Sequence, residues 1–156
     1  MAGDNMSEAD GGNRQVMEAV YDPLLARPPR DFHNRRQLPK NGINVFYERD
    51  ELAAGTSPER VTRVGMNTAQ GRFPTRIRQH YGRVRGLGGN KNGSVFRKHV
   101  GGTPLRRHDP DDARLDPWLA TRGGSYPEVE EAVSQFLRGR FTFRCFTVND
   151  TKERLR

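Results

Sequence analysis

The sequence predicts an α+β fold built on a small antiparallel sheet, and three observations carry that prediction. Two short apolar segments, INVFYE at 43–48 and RVTRVGM at 60–66, flank a polar loop and read as an antiparallel strand pair. Helical patterns follow at 73–81, near 94–101 and at 125–138. A last alternating run, FTFRCFTV at 141–148, reads as a strand, so strands and helices are segregated rather than interleaved.

Taken in order, residues 1–15 are polar and glycine-rich and read as a disordered tail, with 16–156 as a single domain. VMEAVYDPLLARPPRDF holds a short helix that Pro23, and again Pro28 and Pro29, should stop. LPKNG is a turn into the first strand. In FPTRIRQHY, Phe73, Ile77 and Tyr81 recur at i, i+4 and i+8 as one apolar stripe, and Gly82 stops the helix. Ser94 caps a short helix that Gly101 should end. TPLRRHDPDDARLDPWLATRGG reads as a long connecting loop, with Trp118 as a packing anchor. SYPEVEEAVSQFLRG is the clearest helix. Ser125 and Glu128 form a capping box, Val129, Ala132, Val133 and Phe136 make its core face, and Gly139 closes it. Phe141, Phe143 and Cys145 share one face of the last strand, with Cys145 as packing.

Charge is distributed unevenly. Residues 1–59 carry 7 basic and 10 acidic groups, net −3; residues 60–108 carry 12 and none, net +12; residues 109–156 carry 8 and 9, net −1. A 49-residue window without a carboxylate points to a polyanion, and nucleic acid is the usual one. The bland alternative is a solvated basic face. A membrane surface fits poorly, because the window lacks a long amphipathic helix and no apolar run approaches the ~20 residues of a span. Cys145 is the single cysteine, which excludes an internal disulfide and a Cys-based zinc site. A cytoplasmic protein fits best.

Within the window, Arg76 and His80 lie one turn apart on the 73–81 helix. On one phosphodiester, the guanidinium would neutralise the transition state and the imidazole would hold or deprotonate a water. An ordinary surface pair is the alternative. Beyond them, Arg78, Arg83, Arg85, Lys91, Arg97 and Lys98 read as nucleic-acid contacts around the glycine-rich 82–93 segment. Five phosphate contacts, from Arg83, Arg85, Lys91, Arg97 and Lys98, would give a log–log salt slope of roughly −4 to −5. His99, sharing a face with Val95 and Phe96, reads as packed.

At these residues the chain resembles the GIY-YIG nucleases, which carry Gly-Ile-Tyr on a first strand, Tyr-Ile-Gly on a second, and Arg-x-x-x-His on a helix ten or eleven residues later. Here Gly42–Asn44 (GIN) stands at the first motif and Arg63–Gly65 (RVG) at the second, with ten residues between Gly65 and Arg76. The branch it looks closest to reads GVYFFFE, RVVRVG, RLxQHRG and GNHRGSIFRxHVG. This chain has GINVFYE, RVTRVG, RIRQHYG and GGNKNGSVFRKHVGG.

The resemblance implies a three-stranded antiparallel sheet flanked by helices and a metal-dependent endonuclease, with DNA a better fit than RNA as substrate. It implies Mg²⁺ or another divalent cation as cofactor, held by a glutamate on a late helix. Tyrosines in the family orient or activate the attacking water, and the arginine stabilises phosphate charge. Two departures stand out. Asn44 and Arg63 occupy the tyrosine positions, and neither can act as a base near neutral pH. The late glutamate is not identified, because Glu153 precedes its expected place. The reading is that it lies beyond Arg156, the domain otherwise lacking its final helix. The alternative is a catalytically inactive nucleic-acid-binding module on the same scaffold, and a third is a small basic protein that docks on acidic partners.

Overall fold

A computed structural model describes residues 19, 21–35, 37–52, 59–83 and 85–154, so the expected N-terminal tail lies outside the described residues. Helical residues 21–25 (α1) precede strand β1 (Gly42–Leu52) and strand β2 (Glu59–Met66). Then come helices α2 (Phe73–Tyr81), α3 (Val95–His108), α4 (Leu115–Leu119) and α5 (Pro127–Arg140), strand β3 (Phe141–Thr147) and a final turn α6 (Thr151–Arg154). The sheet has three antiparallel strands in the order β2-β1-β3. β1 is the middle strand, and Val45, Phe46 and Tyr47 are buried because both of its faces are covered. A single bridge from Arg30 to Phe143 blunts the β3 edge.

Register sorts the sheet into two faces. Asn44 pairs with Gly65 and Cys145, and Phe46 with Arg63 and Phe143. These residues face the helices, where Phe46 packs against His80, Tyr81 and Phe96. Phe73, Ile77 and Tyr81 are fully buried, as the stripe predicts, and Gly82 ends α2 at φ 87°. A polar clasp missing from the sequence reading aims α2 at the Asn44 end of the sheet. Asn67 Oδ1 accepts from the Gly42 amide at 2.9 Å, and Asn41 Oδ1 accepts from Asn67 Nδ2 at 3.1 Å and from the Gly71 amide at 2.7 Å.

Several sequence expectations are corrected. Pro23 lies inside helical residues 21–25 instead of ending them. α3 runs through Gly101 to His108, because its glycines serve contact rather than termination. A Cβ on Gly101 would stand 2.5 Å from Trp118 Cζ2, and one on Gly102 2.7 Å from Leu119 Cδ2. The expected loop at 103–124 therefore contains the end of α3 and all of α4. Trp118 is buried there as an anchor, its indole N–H donating to Lys98 O at 2.8 Å.

The capping box does not form at α5. Tyr126 precedes the helix without a side-chain cap, and Ser125 instead donates to Glu130 at 3.3 Å. The buried face is Val129, Glu130, Val133, Ser134 and Leu137, with Ala132 and Phe136 outside and the helix continuing past Gly139. Polar residues take inner positions because a guanidinium is buried against them. Arg97, wholly enclosed, donates to both Glu130 Oε2 (Nε 3.1 Å, Nη2 2.5 Å) and to Ser134 Oγ at 3.0 Å.

Candidate active site

Two arginines converge at the Asn44 end of the sheet. Arg76 projects from the middle of α2, and its Nη1 donates to Gly93 O at 2.9 Å and to Gln79 Oε1 at 3.3 Å. Arg63 folds back along β2 over Gly65, where a Cβ would lie 2.1 Å from its Nη1. That glycine thus makes room for the guanidinium. Arg63 Nη1 donates to Asn44 Oδ1 at 3.0 Å, and its Cζ lies 5.5 Å from the Phe96 ring centroid. Burial first, and then the field of Arg76, bring the Arg63 pKa down to about 10, so Arg63 remains cationic at neutral pH. Neither has a carboxylate partner among the described residues.

His80 sits behind them with no exposed surface. Phe46 and Phe96 meet its ring edge-on at 5.5 and 5.7 Å, and its Nδ1 lies 2.8 Å from Ser94 Oγ. That oxygen also accepts from the Arg97 amide as the cap of α3. Burial, and then the fields of Arg63, Arg76 and Arg97, hold its pKa at about 2. The role expected of His80 is corrected accordingly. A neutral, enclosed imidazole ties α2 to the start of α3, and it does not take a proton from accessible water.

The same burial predicts a pH effect. A histidine whose folded pKa lies below its unfolded value stabilises the fold above pH 6.5 and loses that contribution as pH falls below it. Urea unfolding at pH 7 and 5.5 should differ by about 1 kcal/mol from this residue alone.

Two buried side-chain nitrogens in this cluster, Asn44 Nδ2 and His80 Nε2, have no hydrogen-bond partner in the protein. Such groups cost about 1–3 kcal/mol each when left unpaired. Both are enclosed, so an internal water rather than substrate would pair them.

The expected phosphate contacts divide into two sets. Lys91 and Arg97 are corrected, because both are interior cations. Lys91 Nζ donates to the carbonyls of Pro117 (3.2 Å), Trp118 (2.6 Å) and Ala120 (3.2 Å), closing the C-terminus of α4. Sequence alone could not separate these from surface cations, since a buried base and a solvated one look alike without their acceptors. Arg78, Arg83 and Arg85 are exposed and Lys98 half-exposed. With these four, the expected salt slope is roughly −3 to −4, measurable by titrating DNA binding against KCl. His99 is exposed rather than packed, because with Val95 and Phe96 it lines an open groove instead of a closed core.

A family model described as a GIY-YIG domain matches residues 16–155. No match was found among curated proteins or among solved structures. Since the matched span takes in all three strands, the helix carrying Arg76 and the turn that anchors its guanidinium, the chain belongs to the GIY-YIG family.

Proposed function

We propose that this domain hydrolyses phosphodiester bonds in DNA. The observation that carries the reading is the pair Arg63 and Arg76, two half-buried guanidiniums with no carboxylate partner among the described residues. Such a cluster suits an anion with several oxygens. Arg76 is held through Nη1 by Gly93 O, which leaves its other N–H groups for a phosphoryl oxygen. Arg63 is held through Nη1 by Asn44 Oδ1, which leaves its other N–H groups for the same anion. The charge that develops on the phosphoryl oxygens thus meets donors that need little rearrangement.

Family membership implies a divalent cation, Mg²⁺ or another. Among the described residues no three His, Cys, Asp or Glu side chains gather to hold one, so these residues do not fit the ion and no step here runs through it. What they do is bind, orient and neutralise. Neither Asn44, Arg63 nor Arg76 accepts a proton at neutral pH, and His80 is enclosed.

That lack of an accessible base favours a second reading, binding without cleavage on the same scaffold. Incubating supercoiled plasmid with the protein and Mg²⁺ separates the two. Nicking that EDTA stops and that Arg76→Ala loses supports the nuclease. Salt-sensitive binding without nicking supports the module, and no binding even at low salt removes both.

A further inference from the structure

An open groove of about 340 Å³ runs between α3 and the helix-facing side of the sheet, and its lining changes character from end to end. Arg63 belongs to both the groove and the guanidinium pair. Val95, Phe96, Val100 and Phe141 make a mainly apolar middle, with the His99 imidazole beside them on α3. Glu48 stands at the far end, paired across strands with Phe141. Asn44, to which Arg63 is bonded, and Glu48 are four residues apart on β1, which places them about 13 Å apart along the strand.

This order rejects a second phosphate. A carboxylate repels phosphate oxygens, yet it accepts well from the amino group of a base. Glu48 contacts Arg140 through Oε1 at 3.4 Å, which leaves its other oxygen to accept. The sequence cation, apolar wall, carboxylate matches the sequence phosphate, sugar, base edge within one nucleotide. Val95 is 57% exposed, a large apolar side chain in the open beside the site, able to cover the face of a base by apolar contact.

We propose that this groove seats an unpaired nucleobase attached to the phosphate at Arg63. A base stacked and paired in a duplex could not enter between α3 and the sheet, so the preferred substrate carries a displaced or single-stranded nucleotide at that position. The identity of the ligand rests on the nucleic-acid reading, but the test does not need cleavage.

Binding is measured in EDTA by fluorescence anisotropy, using a labelled duplex with one bulged adenine and a fully paired duplex of the same flanking sequence. The wild type should bind the bulged duplex about tenfold more tightly. Val95→Glu, which puts a carboxylate in the apolar middle, should bring that preference below about twofold. Val64→Glu is the charge control. It adds the same charge at a 64% exposed position on the opposite face of the sheet and should keep the preference.

Equal affinity of the wild type for the two duplexes overturns the proposal, as does an identical loss in both variants. So does a Val95-dependent dimer by sedimentation in place of a preference, which would make a second copy the occupant. Nicking without discrimination would sink this inference and leave the nuclease reading standing; discrimination without nicking does the reverse.

Discussion

Arg76→Ala is expected to lower the plasmid-nicking rate about 10²- to 10³-fold while leaving the fold intact. The size follows from where the guanidinium acts. A preorganised donor aimed at developing phosphoryl charge contributes most when water is excluded, and Arg76 is half-buried beside a second cation. The fold survives because the side chain's own bonds are to one backbone carbonyl and one exposed glutamine, together worth about 1 kcal/mol. Arg76→Lys should recover little, since an ammonium cannot span Gly93 O and a phosphate at once. Rates with Mg²⁺, together with thermal unfolding of each variant, provide the check. A drop of less than tenfold in a folded Arg76→Ala would remove this residue from the chemistry.

Glu130→Ala should cause the largest loss of stability, about 3–5 kcal/mol in urea unfolding. Its carboxylate accepts from Arg97 through Oε2 and from the Lys91 amide through Oε1 at 2.5 Å. Removing it leaves a wholly enclosed guanidinium without its counter-charge and a buried amide without an acceptor. On a domain whose total stability is about 5–15 kcal/mol, that brings unfolding close to working temperature. Replacing both partners by apolar residues, Arg97→Met with Glu130→Leu, should restore part of the loss, because no charge is then stranded. A single-variant loss under about 1 kcal/mol would show that the pair is not the clamp described here.

The consequence reaches the site. Glu130 holds the 91–93 turn through the Lys91 amide, and Gly93 in that turn holds Arg76. Arg97, on the same carboxylate, also donates to the carbonyl of His80 at 3.1 Å. One buried ion pair therefore registers α2, α3 and α5 against each other.

Periodicity and local chemistry made one part of the fold legible along the chain. Strand alternation marked β1, β2 and β3, and the i, i+4, i+8 stripe marked α2 with its buried residues. A glycine at φ 87° stopped that helix, and the Ser94 hydroxyl capped the next. The resemblance to the GIY-YIG motifs, not periodicity, put Arg63 and Arg76 in one expected site.

Which polar residues are interior depends on long-range contacts in the folded chain. Lys91, Arg97, Glu130 and His80 look like surface residues in a one-dimensional pattern, because their partners lie 14 to 39 positions away. The same holds for Gly101, which reads as a helix stop until Trp118 is seen lying against it. Burial of a charge is tolerated only where acceptors converge on it, and convergence belongs to the folded chain, not to any window of the sequence.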